Sequence, residues 1–295
     1  MNNENYHFKI GAFGCIALSD GVMTYAPPTF PPPAVFLFCN APGDRIEKVL
    51  RGHNINIHQW IQWTSSYTCL LVNTGKCRVL VDTGAGRLSS STGKLLDNLK
   101  NEGITPDDID LVILSHAHPD HIGGNISTQG KPVFTNARWV IWEDEWQFWT
   151  TEQAESRLDE HSKEILINIA RTNLLPLQSK IELVHEEVEL VPGIRVIKSP
   201  GHTPGLLAIS VVSGKDRLLY ISDVVIHPIH IAEPEWFAAT DVIPDQVIAT
   251  RHKLLNQATL EKSLVMAFHF PFPGLGYILQ KDKGWQWQPI KAKVK

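Results

Sequence analysis

The feature that most constrains this chain is a cluster of three histidines and one aspartate within six consecutive residues. Residues 115–124 have the sequence S-H-A-H-P-D-H-I-G-G, with the candidate ligands His116, His118, Asp120 and His121. The cluster directly follows the apolar run 111–114, which is typical of a short buried strand. Because α/β proteins place their chemistry on loops at the carboxyl ends of strands, we predict a functional loop here. Imidazole and carboxylate are ligands that zinc and similar divalent ions prefer, so the loop is a candidate metal site.

Length and composition favour a single globular domain. The chain has 295 residues, of which 43% are hydrophobic and 20% are charged, and no long linker, low-complexity tract or short repeat divides it. We therefore expect one domain over residues 1–295, with a proline-rich, ordered arm at about 26–43. The formal net charge of −4 argues against nucleic acid as a partner, because nucleic acid usually requires a basic surface.

The sequence also gives expectations about membrane spans, export and disulfide bonds. No stretch approaches the roughly 18–20 apolar residues of a membrane span. The first residues lack the positive and apolar regions of a signal peptide, so a cytoplasmic location is the expectation. The four cysteines show no C-x-x-C spacing, which predicts buried thiols rather than a disulfide framework.

The pattern of apolar residues predicts many strands with fewer helices between them. Strands are expected at 67–73, 76–81, 111–114, 139–142, 181–184, 188–191, 194–197, 206–212, 217–221, 264–268 and 276–280. Helices are expected at 94–102, 143–149, 152–173 and 244–262. Because strands dominate both halves, we expect an α+β protein with two sheets packed face to face and helices outside them.

Three further candidate ligands share the placement of the first cluster. His202 lies in S-P-G-H-T-P-G between two predicted strands, Asp223 follows the apolar run 218–221, and His269 follows the strand at 264–268. All seven candidates therefore come after strand-like runs. This shared position predicts that they assemble into one site at the ends of the strands.

The combination of these motifs resembles the metallo-β-lactamase-fold hydrolases. The order H-x-H-x-D-H, P-G-H-T-P-G, S-D and a late histidine matches across roughly residues 60–280. The gap from His121 to His202 and the tail at 272–277 look most like the methyl parathion hydrolase branch, with acyl-homoserine lactonases as near relatives. The resemblance implies a four-layer αββα sandwich and a homodimer, in which the proline-rich arm contacts the partner or covers the pocket.

The resemblance further implies two metal ions held by these seven residues. His116, His118 and His202 would hold one ion, and Asp120, His121 and His269 would hold the other. Asp223 would bridge the two ions together with a water or hydroxide. Asp82, in a D-T-G turn, would support a ligand from outside the site.

The donor set predicts a catalytic rather than a structural metal site. Structural zinc is commonly closed by four protein ligands, many of them thiolates, and no cysteine lies near these motifs. Zinc lowers the pKa of bound water from about 15.7 to about 7, which would supply a hydroxide nucleophile at neutral pH. Zinc is the first expectation, and iron, manganese or cobalt would suit the same ligands.

The proton donor to the leaving group is an open question at this stage. Lactonase relatives place a tyrosine shortly after the bridging aspartate, whereas this chain has Ile226 and His227 there. Three alternatives follow: Asp120, His227 or a metal-bound water. A structural role for His227 and for the nearby His230 also fits the sequence.

Aromatic residues give a candidate pocket for an apolar substrate. Trp146, Trp149, Phe270 and Phe272 lie close in sequence to the metal motifs or to a predicted helix start. The spacing of Trp142, Trp146 and Trp149 fits core packing equally well.

We expect a dinuclear metal hydrolase of small apolar esters or lactones, with organophosphate triesters as a further class. The alternatives are a glyoxalase II-like thioesterase, a β-lactamase, an iron-binding redox relative and a non-catalytic binding protein.

Overall fold

Two β-sheets, each formed by a contiguous stretch of the chain, make up the centre of the molecule. The structure is a computed structural model that describes residues 4–158, 160, 163–282 and 284–291. Within these residues, the first sheet has seven strands in the order β1 to β7, and the second has seven strands in the order β14 to β8. Helices lie between and outside the strands, so the predicted α+β arrangement of two sheets with helices is confirmed.

The strands of the first sheet are β1 (Asn5–Ile10), β2 (Phe13–Tyr25), β3 (Trp63–Asn73), β4 (Arg78–Val81), β5 (Leu111–Ile113), β6 (Arg138–Trp142) and β7 (Ile181–Val184). Those of the second sheet are β8 (Glu189–Val191), β9 (Ile194–Lys198), β10 (Leu207–Ser213), β11 (Asp216–Tyr220), β12 (Leu264–Met266), β13 (Leu275–Lys281) and β14 (Gly284–Pro289).

The helices are α1 (Pro33–Leu37), α2 (Gly43–Gly52), α3 (Leu95–Asn101), α4 (Pro119–Ile122), α5 (Glu143–Thr150), α6 (Lys163–Leu174), α7 (Ile229–Ala232) and α8 (Pro244–Glu261). None of the helices in the described part of the chain is long and apolar enough to cross a membrane.

Parallel pairing brings the functional loops to common edges. In the first sheet β4, β5, β6 and β7 run parallel, and in the second sheet β11 runs parallel to β12. Val81 is paired with Ile113, and Tyr220 is paired with Met266. The loops after β4 and β5 therefore leave the first sheet at the same end, and those after β11 and β12 leave the second sheet at the same end. This is the placement that the sequence predicts for Asp82, His116, Asp223 and His269.

Three apolar clusters hold the layers together. The first core lies between the sheets and joins residues such as Leu70 of β3 and Ile209 of β10. The second core packs α8 on the other face of the second sheet, for example through Leu254 and Val265. The third cluster joins the N-terminal arm to the segment after β11.

One predicted helix is wrong in detail, and three strands of the described residues, β1, β2 and β14, were not predicted. The predicted helix at 152–173 is interrupted: a 3-10 turn covers Ala154–Ser156 and α6 begins only at Lys163, while residues 159, 161 and 162 lie outside the described residues. The 13-residue strand β2 was not predicted at all. Its pairing with β3 shifts between Ser19 and Gly21, and this irregularity breaks the alternation that marks a strand in a sequence.

Candidate metal centre

The loop after β5 is shaped by close contact with the D-T-G turn after β4. A Cβ on Gly123 would lie 2.2 Å from the Ala85 carbonyl oxygen, and one on Gly124 would lie 2.1 Å from that of Thr83. The H-I-G-G sequence thus allows the two loops to approach closely. Pro119 begins the short helix α4, a position where its missing N–H costs nothing.

Loops of the second sheet supply the other candidates. His202 follows β9, Asp223 lies in a 3-10 turn directly after β11, and His269 follows β12. Gly201 has a φ of +137°, and a Cβ there would lie 2.1 Å from the backbone nitrogen of Val247. The glycine before His202 is therefore required by the approach of α8.

Three histidine nitrogens converge on one point. His118 Nδ1 lies 3.1 Å from His116 Nε2 and 2.9 Å from His202 Nε2. The Asp223 carboxylate completes the group, with Oδ2 at 3.4 Å from His202 Nε2. Ligand atoms at about 2.0–2.1 Å from a tetrahedral zinc ion are about 3.3–3.4 Å apart, so small adjustments of these side chains would accept one ion.

A second group lies beside the first. His269 Nε2 is 3.4 Å from Asp120 Oδ2, and His121 Nε2 is 3.8 Å from the same oxygen. Within each of the two groups the donor atoms lie within 4.8 Å of one another. All seven predicted ligands are thus brought together, and every one is buried.

Asp223 contacts both groups. Its Oδ1 lies 3.2 Å from His121 Nε2, and its Oδ2 lies 2.8 Å from His269 Nε2 as well as near His202. Its position between the two groups is the one that a bridging carboxylate needs.

The buried polar atoms fit metal ions better than they fit one another. Among the described residues, His121 Nε2 and Asp223 Oδ1 are buried side-chain atoms without a hydrogen-bond partner. Such atoms are rare in folded proteins because burial without a partner costs about 1–3 kcal/mol. Imidazole nitrogens and carboxylate oxygens that face one another without partners are the expected donors for two cations.

Three of the candidate histidines have a close partner on the ring nitrogen that faces away from the group. His121 Nδ1 lies 2.8 Å from Asp82 Oδ2, so Asp82 contacts a candidate ligand from outside the group. His202 Nδ1 lies 2.8 Å from Asp241 Oδ1, and His269 Nδ1 lies 2.8 Å from Ser65 Oγ. These bonds fix the ring orientation and leave one nitrogen of each ring for a metal.

Two of these supporting residues were not predicted from the sequence. Asp241 and Ser65 lie 39 and 204 positions from the histidines they contact. No motif links such distant positions, so only the folded structure identifies them.

Burial and neighbouring charges shift the pKa values of the candidate ligands. Burial lowers the pKa of His116 and His118 well below the usual range, and neighbouring histidines lower it further. Burial alone would raise the pKa of Asp223, but His269 and His121 outweigh it and hold that pKa well below its usual range.

Burial would also lower the pKa of His121 and His202, but Asp223 outweighs it for His121 and Asp241 outweighs it for His202, so both values are raised. Metal ligation requires neutral imidazoles and an ionised carboxylate, so binding of cations would release protons from the rings whose pKa is raised.

The four predicted pocket aromatics lie in different environments. Trp149 is fully buried, with its ring centroid 5.6 Å from that of His118. Phe270 is fully buried against Trp287 in the second core, whereas Trp146 and Phe272 are partly buried against the first core. Their role as pocket residues stays a prediction.

A different group of aromatic side chains, which we call the arm cluster, lies beside the candidate centre. Its members are Tyr25, Phe36, Phe38, Trp60, Trp63 and Trp236. The Trp63 ring centroid lies 6.1 Å from that of His269 and 6.2 Å from that of His227. From the proline-rich arm, Phe36 and Phe38 pack in this cluster, and the Phe38 ring centroid lies 5.6 Å from that of His227. The arm is therefore connected to the candidate centre through the cluster, and the apolar run within the arm was the one indication of this in the sequence.

His227 lies at the edge of the arm cluster and is partly exposed. Its ring centroid is 5.6 Å from Phe38 and 5.8 Å from Trp60. Its Nδ1 accepts a hydrogen bond from the Ile229 N–H at 3.2 Å, so the ring proton lies on Nε2. Burial, followed by the nearby His53, lowers the pKa of His227 to about 3.

Comparison with known proteins agrees with this geometry. The model of the metallo-beta-lactamase superfamily matches residues 64–269, which contain all seven candidate ligands. The chain belongs to the metallo-beta-lactamase superfamily. The predicted family and fold are thus confirmed, and the chain is placed among metal-dependent hydrolases.

Curated relatives of this superfamily member include N-acyl homoserine lactonases. One from Bacillus cereus is 23% identical over 254 residues, which cover 79% of this chain and 86% of that protein. Another from Bacillus sp is 26% identical over 157 residues, which cover 46% of this chain and 54% of that protein. The chain thus matches about half the length of the second relative.

Solved structures of the superfamily match over nearly the whole chain. AidC, described as a dizinc quorum-quenching lactonase in complex with the product N-hexanoyl-L-homoserine, has a TM-score of 0.87 and 28% identity, with 97% of each chain covered. The hydrolase AbOPH, described as a member of the beta-lactamase superfamily, has a TM-score of 0.85 and 28% identity, also with 97% of each chain covered.

Proposed function

We propose that the protein is a dinuclear zinc hydrolase that opens lactones with apolar substituents, with N-acyl homoserine lactones as the first substrate class. The observation that carries the proposal is the position of Asp223 between the two groups of candidate ligands. Its Oδ1 lies near His121 of the second group, and its Oδ2 lies near both His202 of the first group and His269 of the second. The similarity to AidC supports both zinc and this substrate class.

The seven ligands would hold two ions, with His116, His118 and His202 on one and Asp120, His121 and His269 on the other. Asp223 would be shared between them. Bound zinc would supply Lewis acidity and a hydroxide nucleophile at neutral pH. The other contributions come from the protein's own side chains.

His227 would act as a neutral hydrogen-bond donor. With a pKa lowered to about 3, its ring carries one proton at neutral pH, and that proton lies on Nε2. It is therefore suited to stabilise negative charge on the carbonyl or leaving oxygen, but it would not be a source of imidazolium protons. Asp120, which is 8% exposed, remains the proposed proton carrier.

The arm cluster would bind the apolar part of the substrate. Its rings lie next to His227 and His269 and so extend from the centre along the arm. Burial of an acyl chain against aromatic rings would contribute a binding free energy of about 0.8 kcal/mol for each methylene group. This arrangement favours esters and lactones with an alkyl or aryl group.

The test is hydrolysis by purified protein loaded with zinc, manganese or cobalt. The panel is hexanoyl- and decanoyl-homoserine lactone, a δ-lactone, an aryl ester, a paraoxon-type triester, a cephalosporin and lactoylglutathione. We expect the fastest turnover on the lactones and loss of activity in His118→Ala. A protein with two bound ions that turns over the thioester or the cephalosporin but no lactone would refute the proposal.

A further inference from the structure

Glu145 is a fully buried carboxylate in the first turn of α5, outside the set of candidate ligands. Its exposed fraction is 0%. Its Oε1 accepts hydrogen bonds from the Ala117 N–H at 2.8 Å and from the Trp149 indole N–H at 2.7 Å. Its Oε2 accepts one from the Gly205 N–H at 3.0 Å. A buried charge is costly unless it is well hydrogen-bonded, so this arrangement is a specific one.

The two backbone donors belong to two different ligand loops. Ala117 lies between His116 and His118 on the loop after β5, and Gly205 lies three residues after His202 on the loop after β9. These loops extend from different sheets. One carboxylate therefore connects the three histidines of the first group across the boundary between the sheets.

Close packing reinforces this connection. A Cβ on Gly205 would lie 2.2 Å from the backbone nitrogen of Glu145, so the His202 loop lies directly against α5. The Trp149 ring, which shares the same carboxylate, lies 5.6 Å from the His118 ring.

We propose that Glu145 is a positioning residue for the metal site formed by His116, His118 and His202. It sets the separation of the two loops, and through them the spacing of the three ring nitrogens. Its contact on the loop after β5 is with Ala117, between two ligands of the first ion, and among the described residues it makes no hydrogen bond to Asp120, His121 or the loop that carries His269. We therefore expect its loss to affect the first ion more than the second. This inference rests on the proposed two-metal function.

The test compares Glu145→Gln with Glu143→Gln in the zinc-loaded protein. A glutamine at 145 keeps one acceptor oxygen, but its NH₂ must face an N–H donor of one of the two loops. Glu143 is in the same helical turn and contacts only the exposed Gln147 side chain among its described side-chain partners, at 3.2 Å, so its change to glutamine is a matched control.

The measurements are the zinc content per chain and the rate of zinc transfer to a chelator. We expect the wild type and Glu143→Gln to release both ions slowly. In Glu145→Gln one ion per chain should bind about 10–100-fold more weakly and leave correspondingly faster, while the other should be affected much less. Circular dichroism of each variant establishes that it is folded.

Equal release of the two ions in Glu145→Gln, whether slow or fast, would overturn the proposal, because a general loss of structure affects both sites alike. If Glu145→Gln does not fold, Glu145→Asp is measured in its place. It keeps the charge but is one methylene too short to reach both loops, and the same criterion applies. A wild type that binds no zinc would refute the proposed function instead, and this readout requires no substrate.

Discussion

At the scale of single residues, the centre combines ligands of similar chemistry with very different supports. His121 and His202 are each held by a carboxylate, whereas His269 is held by a serine hydroxyl. A carboxylate partner increases the basicity of an imidazole more than a hydroxyl does. His121 and His269 belong to the same group, so the two imidazoles of that site are expected to differ in basicity.

His227→Gln tests the role of the neutral imidazole. We expect kcat for lactones to fall about 10–100-fold, because one donor to a developing negative charge is lost. The pKa of His227 is lowered to about 3, so the residue is neutral from pH 5 to pH 9 and contributes no titration there. The pH profile of kcat/KM over this range should keep its shape. A limb near pH 6 that disappears in the variant would show that His227 acts as an acid.

The seven candidate ligands could be found from the sequence because each one follows an apolar strand-like run in a short motif. Their supports could not be found in this way. Asp241 lies in a loop before α8 with no pattern of its own, and its contact with His202 depends on how that loop folds back. Long-range polar pairs of this kind are specified by tertiary structure.

At the scale of elements, the N-terminal arm is the part that differs most from its appearance in the sequence. The region around the prolines forms α1, and the chain continues into α2, with Phe36 and Leu37 buried in the third cluster. The prolines before and at the start of α1, and its length of only five residues, hide that helix from a periodicity analysis. Only the apolar run within the arm indicated that it lies against the rest of the protein.

Trp60→Ala tests whether the arm cluster binds the acyl group. Trp60 is partly buried and lies 5.8 Å from the His227 ring. We expect kcat/KM for decanoyl-homoserine lactone to fall about 10-fold relative to that for the butanoyl compound, since roughly two methylenes lose their contact. Ile61→Ala is the control, because Ile61 is the next residue and is 66% exposed. An equal loss for both chain lengths would contradict this role.

His230 connects the arm to the segment after Asp223 and makes this connection sensitive to acid. Its Nε2–H donates to the Leu37 carbonyl at 2.8 Å. Burial, followed by the Arg251 charge, lowers the pKa of His230 well below the usual range. The folded protein therefore keeps this ring neutral, whereas the unfolded chain takes up a proton below about pH 6.5.

We expect the free energy of unfolding to decrease as the pH falls below about 6.5, in part because of His230. In His230→Gln, which keeps a neutral donor, the decrease between pH 6.5 and 4.5 should be less steep. Urea unfolding at several pH values measures both slopes. Identical slopes would show that His230 makes no contribution.

At the scale of the whole molecule, the candidate centre lies where the two sheets meet. The first sheet supplies four of the candidate ligands, through the loop after β5, and the second supplies His202, Asp223 and His269. Bound ions would therefore connect the two sheets, and their binding free energy would contribute to folding.

Metal removal should lower the thermal stability of the protein. A site with free zinc at 1,000 times its Kd stabilises the folded state by about 4 kcal/mol. For a chain of this size that corresponds to a melting temperature about 8 °C lower after chelation. Zinc should restore the original value, and the difference should be smaller in Asp223→Asn. An unchanged melting temperature after complete removal of zinc would contradict this prediction.

Each sheet is built from one uninterrupted stretch of chain, with β7 ending at Val184 and β8 beginning at Glu189. The covalent link between these strands is not needed to complete either sheet. Two fragments divided at this link would each lack part of the catalytic machinery, and enzymatic turnover would appear only when they reassociate. The architecture is thus suited to a split enzyme, in which catalysis reports the noncovalent assembly of two inactive polypeptides.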